Sequence, residues 1–382
     1  MKGNTAVEKG AGMGKEFAVM EENWKKIIDF GPRLMGSSAS KACSSYLEEE
    51  MKRAAEEAVT EKFPVTAWEN DGWKLEIEGE EAIPSCLFLE SGASEGFEGT
   101  LEWLGKNRLW NMYSWDRYGI IDSHGNTVAY VTVRGNGEAI PQMLFTGGSL
   151  PHFLVGREDK ERIKRAEERK ARITGFAHTK RQESTGRNVI GTIGTDKPGK
   201  KVVICAHYDT VYDTAGAYDN ASGAAVVLEL GRRLKAMGTS CPVELLLTDG
   251  EEFDLTGARH RARICSPEDT AMVLCIDGVG RDRVLEVWSG PEPFERRVRG
   301  ILKGVREDFS PVYHCPPPPG SDQEAFYAKG IPACMLTFND QGILHSPKDI
   351  YEENKLHNMK VMVRIGTELL EGLGIITEKG EG

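Results

Sequence analysis

The chain has 382 residues, and 40% of them are hydrophobic, so it can bury one large core or two smaller ones. Its formal net charge of −11 leaves no excess of lysine and arginine to neutralise phosphates, which argues against nucleic acids and anionic membranes as partners. No stretch is long and apolar enough to span a membrane, and residues 1–15 lack the apolar core of a signal peptide, so we predict a cytoplasmic protein.

Two helices are predicted near the start of the chain, after a disordered segment at residues 1–15. Residues 16–30 carry apolar side chains at helical spacing, and the pair Gly31-Pro32 then stops the helix. Serine side chains offer N-caps for a second helix, which we predict at residues 37–59. Both helices are expected to pack on the main sheet of the protein.

Residues 64–173 have a different character, since runs with a period of two alternate with turns rich in glycine and asparagine. The run at 127–133 is typical of a half-buried strand. These patterns predict a smaller β-rich domain, inserted into a main domain that comprises residues 16–63 and 174–382. Three tryptophans are expected in the hydrophobic core of the insertion: Trp103, Trp110 and Trp115.

Strand-like and helix-like runs alternate in the second half of the chain. Apolar, β-branched runs predict strands at 188–193, 202–206, 243–248, 272–276, 284–288 and 333–337. Helical patterns fall at 221–237, 293–308, 322–329 and 354–373. This alternation is typical of an α/β fold, in which a mostly parallel, twisted central sheet is flanked by helices.

Side chains that can bind metals occur at five places, each at the end of a predicted strand or in the loop after it: His207, Asp219, Glu251 with Glu252, Asp277 and His345. Because open α/β sheets build their sites at the carboxyl ends of the strands, we expect these side chains to converge. Two histidines and several carboxylates suit a pair of Zn²⁺ ions, with one carboxylate shared between them. The set of residues therefore predicts a metal centre, although each residue alone would be a weak signal.

Five features of the sequence resemble the di-zinc exopeptidases of metallopeptidase family twenty-eight. They are the run AHYDT at 206–210, the run DNASG at 219–223, the Glu-Glu pair, the aspartate after a strand and the late histidine. The resemblance covers residues 186–373 well and residues 16–59 loosely. The family includes leucyl-type aminopeptidases, glutamate carboxypeptidases and glutaminyl cyclases.

This resemblance implies a cofactor of two Zn²⁺ ions, which Mn²⁺ or Co²⁺ can replace in such ligand sets. The implied ligands are His207 and Asp277 for one ion, Glu252 and His345 for the other, and Asp219 as the bridge. The resemblance also implies a cis peptide bond between Asp219 and the residue after it, Asn220.

The catalytic groups that the resemblance implies are Glu251 and Asp209. Glu251 would be the general base that takes a proton from a metal-bridging water and passes it to the leaving amine. Asp209 would hydrogen-bond to the imidazole of His207 and fix its tautomer. Two positions depart from the family pattern, namely Leu344, where many members carry an aromatic donor, and Gln323, where a histidine is common.

These expectations describe a zinc aminopeptidase that releases N-terminal residues from peptides, with the insertion as a lid or a protease-associated-like domain. A carboxypeptidase or a glutaminyl cyclase of the same family is the alternative among enzymes, although the presence of both His207 and Asp277 favours two metals over the single metal of a cyclase. An inactive binding module of the transferrin-receptor kind is the alternative of another class, but such a module should have lost ligands or the base. Peptides are the expected partners, and a homo-oligomer is an open alternative.

Overall fold

The computed structural model describes residues 16–79, 82–109, 113–143 and 148–377, and the chain divides into two units. The main unit comprises Met1–Pro64, Thr185–Glu251 and Leu255–Gly382. The second unit, called the β unit below, comprises Val65–Ser184 and Glu252–Asp254. The segment predicted to be disordered, residues 1–15, lies outside the described residues.

Helices and strands are numbered separately in chain order. The α-helices of the described residues are α1 (Ala18–Ile28), α2 (Ser38–Ala54), α3 (Lys160–Glu168), α4 (Ser222–Met237), α5 (Thr256–Ala262), α6 (Glu292–Leu302), α7 (Gln323–Tyr327) and α8 (Lys355–Gly372). The strands are β1 (Glu57–Ile77), β2 (Ser85–Leu87), β3 (Ser94–Leu109), β4 (Tyr113–Ile121), β5 (Thr127–Val133), β6 (His152–Val155), β7 (Ile173–Ile193), β8 (Lys201–His207), β9 (Val243–Thr248), β10 (Thr270–Val279), β11 (Val284–Gly290), β12 (Ser310–His314) and β13 (Ala333–Phe338). A π-type turn at Ala217–Ala221 leads directly into α4.

The sheet of the main unit contains its strands in the order β12, β11, β13, β10, β8, β9 and β7. Neighbours from β13 through β10 and β8 to β9 are parallel, and so are β11 and β12. Antiparallel pairing occurs between β11 and β13 and between β7 and β9. The predicted α/β fold with a mostly parallel central sheet is therefore confirmed.

Helices cover both faces of this sheet, as its buried strands require. Along β8, Val202, Ile204 and Ala206 enter one core together with apolar residues of α1, α2, α4 and α8. Val203 and Cys205 enter a second core, on the other face, together with residues of α5 and α7. Because both faces of the strand are buried, its apolar residues form a continuous run instead of alternating with polar ones.

The β unit is built on strands in the order β3, β4, β5, β6 and β2, of which β5 and β6 are parallel and the other neighbours antiparallel. The predicted tryptophan core is wrong for Trp103, which is 53% exposed, whereas Trp115 is buried. Trp103 lies beside a register shift between β3 and β4, where the alternation of inward and outward side chains is interrupted. Trp110 lies outside the described residues.

Some element boundaries differ from the predicted ones. Helix α2 ends at Ala54 instead of residue 59, because strand β1 begins at Glu57. Strand β7 runs without a break from Ile173 to Ile193, so the β unit continues to Ser184, beyond the end predicted for the insertion at residue 173. The short elements α5 and β12 were not predicted, since neither carries a periodic apolar pattern.

Within the described residues, no helix has both the length and the apolar character needed to cross a membrane.

A buried ion-pair network lies at the amino-terminal end of β9. The carboxylate of Glu244 is almost fully buried and accepts hydrogen bonds from Arg261 at 2.6 and 2.9 Å and from Lys201 at 3.1 Å. Burial alone would raise the pKa of Glu244, but the hydrogen bonds and positive charges of Arg261 and Lys201 together outweigh burial and hold that pKa below its usual value. The network thus compensates a charge that would otherwise be costly to bury.

We expect Glu244→Gln to lower the free energy of unfolding by about 3 kcal/mol at neutral pH, because it removes a buried charge that is paired with both Arg261 and Lys201. Urea denaturation followed by circular dichroism measures this change. Asp308→Asn, which removes an ion pair to Arg283 that is exposed on both sides, is the control and should leave the midpoint almost unchanged. Equal effects of the two substitutions would contradict the prediction.

Candidate metal centre

The predicted ligands lie at the carboxyl ends of neighbouring parallel strands. His207 is the last residue of β8, and Asp277 lies near the end of the adjacent strand β10. The pair Glu251-Glu252 follows β9, and His345 lies in the loop after β13. Since these four strands are neighbours and run in the same direction, the sheet brings the side chains to one edge.

The first group of ligand-type atoms is centred on the imidazole of His207, which is fully buried. Its Nε2 atom lies 3.1 Å from Oδ1 of Asp219 and 3.2 Å from Oδ1 of Asp277. The three potential ligand atoms lie within 4.8 Å of one another. The structure therefore brings together the three residues that the resemblance assigns to the first ion and the bridge.

The second group shares Asp219 with the first. The other carboxylate oxygen of Asp219, Oδ2, lies 3.2 Å from Nε2 of His345, and the carboxylate of Glu252 completes a set of atoms within 4.8 Å of one another. Each oxygen of Asp219 thus faces a different histidine. This arrangement fits a carboxylate shared by two cations, because one oxygen is available to each three-residue group.

The charges of the site favour a cation. Burial alone would lower the pKa of His207, but the carboxylates of Asp277 and Glu251 outweigh burial, so that its pKa lies well above the usual value. Burial would raise the pKa of Asp219, but hydrogen bonds with His207 and His345 lower it below its usual value. A metal ion must displace the proton from His207, so metal affinity should fall as the pH is lowered.

Asp209 contacts both His207 and the loop of the predicted base. Nδ1 of His207 lies 3.2 Å from the main-chain oxygen of Asp209 and 3.5 Å from its Oδ1 atom. With Nδ1 as the donor, Nε2 keeps a lone pair for a metal. Oδ1 of Asp209 also accepts the main-chain N–H of Glu251 at 3.0 Å, a contact that was not predicted. The carboxylate of Glu251 reaches within 4.0 Å of Nε2 of His207.

The turn around Asp219 contains the cis peptide bond to Asn220 that the resemblance implied. The side chain of Asn220 donates to the main-chain oxygen of Ile276 at 2.9 Å. Its Oδ1 atom accepts the N–H groups of Gly223 at 2.9 Å and Gly278 at 3.0 Å. Asn220 therefore ties the turn that carries Asp219 to the strand end that carries Asp277, a role that was not predicted.

Two further buried carboxyl groups lie near the strand ends and were also missed. Burial raises the pKa of Asp322 to about 7, and Thr248 donates its hydroxyl to this side chain. Burial likewise raises the pKa of Asp249 to about 8. The sequence could have indicated Asp249 by its position, because it is an acidic residue directly after strand β9.

Gln323, in the position where a histidine is common, donates to the main-chain oxygen of Gly320 at 2.9 Å.

One known sequence profile covers the part of the chain that contains the candidate metal centre. Residues 188–369 match the sequence profile described as Peptidase family M28. The chain carries a peptidase family M28 domain. The matched range of this M28 domain includes all five predicted metal ligands, together with Glu251 and Asp209.

Two curated proteins are similar in sequence to part of the chain. Aminopeptidase YwaD of Bacillus subtilis is 32% identical over 114 residues, which are 29% of this chain and 24% of YwaD. A probable zinc metalloprotease of Leptosphaeria maculans is 34% identical over 84 residues, which are 20% of each chain. The alignments thus span a quarter or less of the length of these curated relatives.

Solved structures resemble the chain over almost its whole length. The aminopeptidase from Aneurinibacillus sp. strain AM-1 has a TM-score of 0.71 at 18% identity, covering 96% of this chain and 98% of that one. The zinc aminopeptidase BSAP from Bacillus subtilis has a TM-score of 0.70 at 18% identity, covering 96% of both chains. A glutaminyl cyclase from Fimbriiglobus ruber gives 0.51 at 15% identity, covering 94% of both. At these identities the likeness establishes a shared fold.

We expect Asp249→Asn to change how the stability of the protein depends on pH. The pKa of Asp249 rises from an ordinary 3.8 to about 8 on folding, so the folded chain keeps a proton that the unfolded chain loses. Stability should therefore decline as the pH rises from about 4 to about 8, and asparagine should remove that decline.

Urea denaturation of both proteins at pH 5 and pH 9 provides the measurement for this prediction. The free energy of unfolding of the wild type should fall relative to that of the variant between the two pH values. An identical change in both proteins would show that Asp249 does not hold the proton.

Proposed function

We propose that this chain is a metal-dependent exopeptidase, and specifically an aminopeptidase that removes N-terminal residues from peptides. The observation that carries the proposal is the carboxylate of Asp219, whose two oxygens face two separate three-residue groups of metal-binding side chains. The M28 domain and the similarity to proteins named as aminopeptidases support the same activity.

The proposed cofactor is a pair of Zn²⁺ ions. A set of two imidazoles and three carboxylates suits zinc, and one of the structurally similar proteins is described as a zinc aminopeptidase. In this proposal His207 and Asp277 hold one ion, Glu252 and His345 hold the other, and Asp219 is shared. When bound, such ions polarise the carbonyl of the scissile bond and lower the pKa of a bound water towards about 7.

Glu251 is the proposed general base. Its main-chain N–H is fixed by Asp209, and its carboxylate lies 4.0 Å from Nε2 of His207, beside the first metal group. From this position it can accept a proton from the attacking water and return it to the amine of the leaving peptide. Asp209 orients the imidazole ring and the base loop at the same time.

The preference for N-terminal residues is proposed from the similarity to proteins that are named as aminopeptidases. Asp219, Glu251, Glu252 and Asp277 place four carboxyl groups at one site, in a chain that is acidic overall. The two proposed Zn²⁺ ions would balance the charge of these four carboxyl groups, so the charge of the site alone does not select one end of a peptide. Leu344 stands before His345 where many family members have an aromatic donor, so in this proposal the oxyanion receives its hydrogen bond from another group.

Glu251→Gln should reduce kcat by at least 10²-fold, because glutamine cannot accept the proton, while the metal content stays unchanged. The measurement is turnover of a free-amino dipeptide, with zinc per chain determined by elemental analysis. Glu252→Gln is the matched comparison, since it removes a proposed ligand next to the base and should lower the zinc content. Full activity of Glu251→Gln would remove this residue from the role of base.

A panel of peptides with free and acetylated N-termini should separate the aminopeptidase from its alternatives. We expect single amino acids to be released from the N-terminus of the free peptides and no cleavage of the acetylated ones, because acetylation removes the ammonium charge. Mass spectrometry of the products identifies the end that is attacked. Release of C-terminal residues from blocked peptides would indicate a carboxypeptidase, and cyclisation of N-terminal glutamine a glutaminyl cyclase.

A further inference from the structure

The chain between the two ligands His207 and Asp219 lacks regular structure until the π-type turn begins at Ala217. Almost all of this connecting segment is buried, with only Asp213 exposed. Buried main-chain N–H and C=O groups outside helices and sheets need partners, because each unpaired group costs free energy. The position of Asp219 therefore depends on the groups that bind this segment.

Arg33 binds the main-chain oxygens of the connecting segment. Its side chain comes from the turn between α1 and α2 and is fully buried. Nε donates to the oxygen of Tyr208 at 2.8 Å, Nη1 to that of Ala215 at 2.8 Å and Nη2 to that of Gly216 at 3.3 Å. A single planar guanidinium thus holds both the beginning and the end of the segment.

Asp349 binds the N–H groups of the same segment. Its Oδ1 atom accepts the main-chain N–H of Tyr218 at 2.7 Å, and its Oδ2 atom accepts that of Asp219 at 3.0 Å. Asp349 is fully buried and follows the second histidine, His345, by four residues in the same loop. Lys355, which is also fully buried, lies 3.5 Å from its carboxylate and compensates the charge.

We propose that Arg33 and Asp349 form a backbone clamp that fixes Asp219 in its bridging position. The cation binds the oxygens of Ala215 and Gly216, and the anion binds the N–H groups of Tyr218 and Asp219, so that successive peptide groups are held from both sides. Neither residue is in the two groups of metal-binding side chains, so both are positioning residues. The inference rests on the proposed bridging role of Asp219.

The chemistry of each residue makes conservative substitutions informative. Lysine at position 33 keeps the charge but loses the planar fork that reaches Tyr208 and Gly216 together. Asparagine at position 349 keeps the shape but has one accepting oxygen, and its amide group would face one of the two N–H donors. Each change should loosen the segment while leaving all proposed metal ligands in place.

The test compares the full-length wild type with Arg33→Lys, Asp349→Asn and the double variant. Zinc affinity is measured by competition with a chelator, and the visible spectrum of the Co²⁺-loaded proteins reports the coordination geometry. We expect each single variant to bind zinc at least tenfold more weakly and to alter the cobalt spectrum, as substitutions around metal ligands do. The loss of zinc affinity in the double variant should be smaller than the product of the losses in the two single variants, because both residues act on one segment.

Glu244→Gln is the matched control, because it also removes a buried charge but lies at the opposite end of the strands. It should lower stability without changing zinc affinity or the cobalt spectrum. If Asp349→Asn does not yield folded protein, Arg33→Lys decides the question alone.

Three outcomes separate a failure of the clamp from a failure of the proposed function. A wild type that binds two zinc ions and cleaves peptides, with folded variants of unchanged zinc affinity and spectrum, would overturn the clamp only. Equal losses of zinc affinity in the clamp variants and in Glu244→Gln would also overturn it. A wild type that binds fewer than two zinc ions and cleaves no peptide would overturn the proposed function, and the clamp with it.

Discussion

The structure of the main unit depends on negative charge that is buried at the carboxyl ends of its parallel strands. Asp219 is the extreme case, since its carboxylate is buried and lies 3.1 and 3.2 Å from two imidazole nitrogens. Burying carboxylates is unfavourable unless other groups compensate them. Two histidines, main-chain N–H groups and, in our proposal, two cations provide that compensation. The elements around the site are arranged to bring these partners within reach.

Much of the fold of the main unit could be predicted because it rests on local patterns. Strands β8 and β9 contain continuous apolar runs, at 202–206 and 245–247, and such runs predict strands that are covered on both faces. Less regular elements left no such signal: α5 carries three basic residues in its last turn, and β12 is an exposed strand that contains Pro311. The continuity of β7 between its two sheet pairings was hidden as well, because pairing partners are set by distant parts of the chain.

The candidate site also combines residues that the sequence could predict with residues that it could not. The ligand-type residues could be recognised because each follows a strand and because their order along the chain resembles one family. The roles of Arg33, Asn220 and Asp349 could not be recognised, since their partners are main-chain atoms far away in sequence. Every residue except proline carries the same main-chain groups, so the sequence does not indicate which of them a distant side chain binds.

The contacts of Asp209 have a consequence for how such an enzyme can diverge. One carboxyl group meets both the ring of His207 and the main chain of Glu251, so in our proposal a substitution at Asp209 would alter metal binding and proton transfer together. Natural variation cannot adjust one of these properties at this position without disturbing the other. Differences in substrate preference between related chains should therefore accumulate at residues outside this pair of contacts, of which Leu344 is one.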